Sequence, residues 1–264
     1  WLPAEPARCA LAILAGVMLA ISFPHWSVAG FAWIAPGLIL ASAAGTRGKE
    51  AFRLGCIAGL ANWLVGIYWL LLIPVKFAPN VGWLLLSAFL SLYTGLWVWL
   101  AWKSYPLVPN QEVTLRDAPR WFYGSTAFQR LIWGFSCAAF WTTIEMIQGR
   151  FLSGFPWNFL GTSQYKMLHL IQFSSFSGVY GVSFLVVWFS VSLMCAFIAL
   201  LQNPANRWAT FREILLPGSV VVFALFRCGD DGGGGADCQA LRNTYGDASS
   251  EYRQCLDANR PGGF

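Results

Sequence analysis

From Ser175 to Leu201 the chain runs without a single charged residue. A helix needs ~20 mostly apolar residues to cross a bilayer, with about 17–25 the usual range. Six further stretches of this kind recur, at roughly residues 8–22, 29–44, 52–73, 81–102, 130–148 and 213–227. The first two and the last are short, which fits tilted, re-entrant or interfacial segments. The pattern predicts an all-α polytopic membrane protein with about seven transmembrane helices. Composition points the same way. The 264 residues are 57% hydrophobic and 11% charged, with 15 Trp and 21 Phe, where a soluble domain carries about 25% charged residues. The mean hydropathy is +0.54. Trp26, Trp33, Trp69, Trp83, Trp99, Trp102, Trp133 and Trp157 fall near the ends of the apolar stretches, where amphipathic rings favour the headgroup level.

Basic residues define a predicted orientation. With the N-terminus cytoplasmic, the inner loops collect Arg8, Arg47, Lys49, Arg53, Lys103, Arg116, Arg120, Arg130, Arg207 and Arg212, and the outer ones only Lys76, Arg150 and Lys166. Such a bias is the usual topology signal. It puts residues 103–129 in a polar, irregular cytoplasmic loop and sends the chain outward after Phe226. The net charge of +5 is uneven, because residues 228–264 hold six acids and three Arg. The basic remainder does not form a stripe of the kind that binds nucleic acid, so no nucleic-acid partner is expected. Residues 9–22 have the length of a signal-peptide apolar region but lack an A-x-A cleavage site, and are read as a first membrane segment. The chain starts with Trp1 and is expected to be a fragment or a processed product.

Chemistry-bearing motifs are sparse. Cys9, Cys56, Cys137 and Cys195 lie in apolar stretches as small hydrophobes. Cys228, Cys238 and Cys255 lie in the tail without metal-ligand spacing. His25 and His169 stand alone, and there is no phosphate loop, zinc-protease motif or dinucleotide fingerprint; the run Gly232–Gly235 lacks a following Lys-Ser/Thr. No catalytic residue, metal or cofactor is expected in these residues.

One polar segment breaks the apolar pattern: SGFPWNFLGTSQY, residues 153–165. Pro156 removes a backbone donor and biases Phe155 away from helix. Gly154 and Gly161 permit turns. Irregular backbone at membrane depth must be buried in protein or line a wet cavity, so a re-entrant or interfacial loop is predicted. Trp157 and Tyr165 would lie against acyl chains, with Asn158, Thr162, Ser163 and Gln164 toward headgroups. A plain interfacial connector is the alternative on composition. Glu145, just upstream, is an acid in a span, costing ~2.5–3.5 kcal/mol at a helix centre and less near an interface. A functional role and a structural ion pair both fit it.

The segment resembles the membrane domain of the apolipoprotein N-acyltransferases. The matching residues are Glu145, Gly154-Phe155-Pro156-Trp157, Gly161-Thr162-Ser163-Gln164, and Gly178-Val179 with Ser183-Phe184. Phe23-Pro24, Pro36, Leu38, Gly55, Gly59, Tyr68 and Trp69 match more loosely, so that the resemblance covers about residues 8–227. One departure is that the family's Glu-x-x-Arg has Gln148 at the Arg position, with Arg150 two residues on. The resemblance implies a two-domain enzyme. Its outer, nitrilase-like domain carries a Glu–Lys–Cys triad that moves an acyl chain from a phospholipid donor, through a Cys thioester, to the amine of a diacylglyceryl apolipoprotein. It also implies a bacterial inner membrane location, and Glu145, Gly154, Phe155, Pro156, Trp157, Asn158, Gln164 and Tyr165 as lipid- or substrate-binding residues. Lys166 is the last Lys in the chain, so no triad can be built downstream of residue 227. The expectation is therefore a membrane half, residues 1–227, inactive by itself, followed by a Gly/Asp-rich disordered periplasmic tail, residues 228–264, in place of the outer domain. A non-catalytic lipid- or lipoprotein-binding module with a separate soluble partner is the alternative. A small transporter is disfavoured, since Asn62 and Thr94 are too few polar residues in mid-span.

Overall fold

The computed structural model describes residues 5–24, 26–74, 78–105, 125–151, 154–202 and 214–223. Every regular element among them is helical. In chain order these are α1 (Glu5–Ile21), α2 (Ala35–Ala43), α3 (Gly48–Gly66), α4 (Ala78–Ser104), α5 (Ala127–Gln148), the short α6 (Leu168–Gln172), α7 (Ser174–Gln202) and α8 (Ile214–Phe223). Single 3-10 stretches cover Ala29–Trp33, Tyr68–Leu72 and Leu160–Gln164. Helix therefore occurs in each of the seven apolar stretches. Two helices, Ala78–Ser104 and Ser174–Leu201, are long and apolar enough to cross a membrane. The stretch at 29–44 breaks because Pro36 sits in the first turn of α2, where its missing N–H is tolerated but a helix arriving from upstream is not. The stretch at 52–73 breaks after Gly66 into 3-10 geometry. The expected loop interior (106–124), the end of the last apolar stretch (224–227), the tail (228–264) and His25 lie outside the described residues.

α3 packs along α4 and α1, α5 along α7 and α4, and α2 against α1 and α7. Small residues set these crossings. A Cβ at Gly16 would overlap the Ala58 carbonyl oxygen, one at Gly59 would approach Thr94 Cβ to 2.8 Å, and one at Gly37 would come within 2.7 Å of the Ser190 oxygen. Close backbone approach through Gly, Ala and Ser is how helices gain packing energy where lipid removes the hydrophobic drive.

The bundle has two chemically distinct ends. At one, Arg8 Nη1 donates to the Ser42 and Ala44 carbonyls (3.1 and 2.8 Å) at the C-terminus of α2. Arg53 bridges Glu5 at 2.8 Å and also contacts Glu50. Trp102 and Trp133 donate their indole N–H groups to Thr46 and Ala101 carbonyls. At the other end lie the 3-10 stretches and the FPW segment, tied together by aromatic contacts such as Trp69–Trp157 at 5.3 Å and Trp63–Phe155 at 6.2 Å.

Candidate functional site

α5 starts from a capping box in which Thr126 and Gln129 exchange hydrogen bonds, and it runs unbroken to Gln148. Along its last two turns Trp141, Glu145 and Gln148 share one face, as i, i+4 and i+3 spacing requires. Glu145 is 5% exposed. Its Oε1 accepts from the Trp141 indole at 2.8 Å and from the Leu160 backbone N–H at 2.7 Å. The Ser183 hydroxyl, on α7, stands close enough to act on the carboxyl, yet Oε2 has no hydrogen-bond partner among the described residues.

This carboxyl organises the loop above it. Residues 154–159 have no regular structure. Gly154 (φ 75°) and Asn158 (φ 54°) both take the left-handed region, which Gly enters freely and Asn tolerates. The backbone groups of the loop are bound by side chains from the helices. Gln148 Nε2 donates to the Phe155 carbonyl at 3.2 Å and to Trp157 at 3.5 Å, while the Phe155 N–H returns to the Gln148 carbonyl at 2.8 Å. Gly161 N–H donates to Ser183 Oγ at 2.8 Å, and a Cβ there would overlap the Val179 carbonyl. Gln148, the departure from the family pattern, is thus a clamp on the loop. Arg150 is exposed and donates to the Met146 carbonyl at 3.5 Å, on its own helix end, among the described residues.

The sequence-predicted residues divide into two groups. Pro156, Trp157 and Tyr165 are exposed, with Phe155, Gly154 and Asn158 half-buried beside them. Tyr165 pairs with Ser27 at 2.9 Å, and this bond, aided by the charge of Lys166, holds its phenol below the ordinary value. Gln164 and Ser163 differ from the expectation of a headgroup-facing position: both are fully buried. Gln164 Oε1 accepts from the Trp33 indole at 3.0 Å, and its Nε2 donates to Ala29 and Ser163. With both ends of the amide engaged, Gln164 locks the loop onto the first 3-10 stretch. His169 is exposed on α6. Among the described residues no group of three or more His, Cys, Asp or Glu is placed to hold a metal.

Below the loop, Glu145 and Gln148 line a small cleft together with Asn62, Thr94, Asn158 and a set of aromatic rings. Asn62 and Trp141 are the residues that sequence reasoning passed over as site members. The helical spacing of Trp141 to Glu145 was a usable signal; nothing local points to Asn62.

An all-helical bundle with a buried carboxyl beneath an irregular Gly-Phe-Pro-Trp loop defines the class, and the comparisons agree with it. The family described as "Apolipoprotein N-acyltransferase N-terminal domain" matches residues 15–192. Among relatives named apolipoprotein N-acyltransferase, the one from Geobacter metallireducens is 33% identical over 183 residues, covering 69% of this chain and 32% of its own length. That from Rhodopseudomonas palustris is 29% identical over 223 residues, covering 76% and 36%. That from Rickettsia bellii is 23% identical over 181 residues, covering 69% and 32%. The chain belongs to the apolipoprotein N-acyltransferase family, in its N-terminal domain, and spans about a third of the length of the curated relatives it matches.

Proposed function

We propose that the chain is the membrane part of an apolipoprotein N-acyltransferase. That enzyme moves an acyl chain from a phospholipid to the N-terminal S-diacylglyceryl-cysteine of lipoproteins. The observation that carries this reading is the family match over residues 15–192, which includes the Glu145-anchored loop. In this reading about seven segments lie in a bacterial inner membrane with the N-terminus cytoplasmic. The 154–165 segment is a ledge in the outer leaflet, where Trp157 and Tyr165 rest on acyl chains. Large apolar side chains that face outward support a lipid environment: Phe176 is 90% exposed, Leu85 64% and Phe197 60%. Glu145, Gly154, Phe155, Pro156 and Asn158 shape the place where the two lipid-bearing substrates meet, and Gln164 holds that place rigid from inside. These 264 residues do not carry out the transfer by themselves, since the acyl-accepting thiol and its partners belong to a nitrilase-like domain.

The test is expression in a bacterial strain depleted of its own N-acyltransferase, with lipoprotein N-termini read by mass spectrometry. The expected result is that the 264-residue chain leaves lipoproteins diacylated. Fusing a nitrilase-like domain with its Glu–Lys–Cys triad after residue 227 restores the third chain. N-acylation by the chain alone would overturn the division of labour. A folded, membrane-inserted fusion that fails to rescue would favour a non-catalytic module that binds lipid or lipoprotein for a separate partner.

A further inference from the structure

The end of the bundle opposite the loop carries three cations that no acid meets. Arg47, Lys49 and Lys103 are exposed and take part in no ion pair among the described residues. The acids described at that end are occupied, since Glu5 and Glu50 both bind Arg53. Lys103 Nζ stands 5.1 Å from the centre of the Trp99 ring, a contact that leaves its charge uncompensated. A patch of one sign draws the opposite sign from its surroundings.

Trp102 joins this patch to an apolar cleft. Its indole N–H donates to the Thr46 carbonyl at 2.9 Å, and a Cβ at Gly48 would come within 2.8 Å of its ring. Arg47 and Lys49 flank that glycine, and Lys103 follows Trp102 in the chain. The same ring lines a cleft with Leu40, Val98, Trp133, Met194 and Ile198, contributed by α2, α4, α5 and α7. Ala43 and Ala44, where α2 ends, complete the wall with small side chains. No Lys, Arg, Asp or Glu lines it. The Trp102 and Trp133 N–H groups are both engaged, so the two rings offer the cleft only their apolar faces.

The pairing of patch and cleft selects the occupant. Inorganic phosphate, a nucleic acid or an acidic peptide would meet the cations and leave the cleft empty. A zwitterionic phospholipid would fill the cleft, but its own cation already balances its phosphate. An anionic phospholipid satisfies both parts. Its phosphate takes charge-assisted hydrogen bonds from Arg and Lys, and its chain covers apolar surface. Basic residues beside a cleft between membrane helices on the cytoplasmic side suit such headgroups.

We propose that this end of the bundle holds an anionic diacyl phospholipid of the inner leaflet, with its phosphate among Arg47, Lys49 and Lys103 and the upper part of a chain against Trp102 in the cleft. The site lies at the opposite end from the 154–165 loop and needs no acyl transfer, so it goes beyond the acyltransferase reading. The two share the membrane setting and the cytoplasmic N-terminus. A failed lipoprotein rescue would leave this site standing, and failed lipid binding here would leave the acyltransferase reading standing.

The test is native mass spectrometry of the full chain released from maltoside micelles. The probes are dioctanoyl phosphatidylglycerol, dioctanoyl phosphatidylcholine, and glycerophosphoglycerol, which is the first headgroup without chains. One phosphatidylglycerol should be retained at least about tenfold more tightly than either of the others. Arg47→Gln with Lys49→Gln should weaken phosphatidylglycerol by about tenfold or more and leave phosphatidylcholine unchanged; both side chains are exposed, so the variant keeps its fold. Arg150→Gln with Lys166→Gln removes the same charge from the other end and should change nothing. Ala44→Leu narrows the cleft and should weaken both lipids. Equal retention of the two lipids, equal retention of the chainless headgroup, or an unchanged phosphatidylglycerol affinity in the Arg47→Gln/Lys49→Gln protein would overturn the proposal. So would an equal loss in the Arg150→Gln/Lys166→Gln protein, which would reduce the effect to net charge.

Discussion

The two ends of the bundle each bury a charged side chain, and they treat it differently. Arg8 is 5% exposed, sits on two carbonyls at the C-terminus of α2, and has Glu5 and Glu50 close enough to act on its charge. Cations at helix C-termini are favoured by the backbone dipoles, so this end meets its charge with carbonyls and nearby acids. The neighbouring cleft is lined by Leu40, Val98, Met194, Ile198 and two Trp whose N–H groups are already engaged. Glu145 is equally buried, its Oε1 holds the Trp141 indole and the Leu160 N–H, and no basic residue lines its cleft among the described residues. The comparison teaches that burial of a charge does not by itself mark a site. What differs is how each charge is held: Arg8 by carbonyls at a helix end, Glu145 by an indole and a backbone N–H beneath an irregular loop.

The sharpest way to break the comparison is to ask whether the ends face different compartments. In a chain freed of its native cysteines, Lys166→Cys should be labelled in intact spheroplasts by a membrane-impermeant maleimide, while Lys49→Cys should react only after lysis. Labelling of both from one side would refute the proposed topology. Next in size is Glu145→Ala, which strands the Trp141 and Leu160 N–H donors. It should destabilise the protein by about 3 kcal/mol, read as a lowered Tm in detergent with loss of protection of the 154–160 segment in hydrogen exchange. Arg8→Ala frees two carbonyls at the opposite end and should cost about 2 kcal/mol while leaving hydrogen exchange of the 154–160 segment unchanged; faster exchange there would erase the distinction between the ends. Gln148→Ala removes the clamp on Phe155 and Trp157 and should cost about 1 kcal/mol, with faster exchange confined to the loop. Tyr165→Phe removes an exposed hydrogen bond to Ser27 and should leave Tm unmoved, which makes it the control for the exposed side of the loop.

Much of the fold was legible because its signal is local. An apolar run long enough for a helix became a helix in each of the seven stretches, and Gly154 and Pro156 forecast the interruption that follows α5. The breaks inside the stretches at 29–44 and 52–73 were not read, although Pro36 was a usable marker for the first. The polar residues of the loop were read least well. Ser163 and Gln164 were placed toward headgroups, yet both are buried. A segment without helical or strand period has no face that sequence can assign, so the direction of each side chain depends on what packs around it. For Gln164 that is Trp33, far upstream in the chain.

The sequence by itself determined a helical, lipid-compatible chain of this family, because apolar length and a Gly-Phe-Pro-Trp motif are both contiguous features. Only the tertiary structure decided that Gln148 clamps the loop, that Arg150 stays exposed, and that Asn62 and Glu145 line one cleft. Those relations join α3, α5 and a loop that are remote in sequence. They are set by close crossings at residues such as Gly59, whose consequence appears only once the helices are packed.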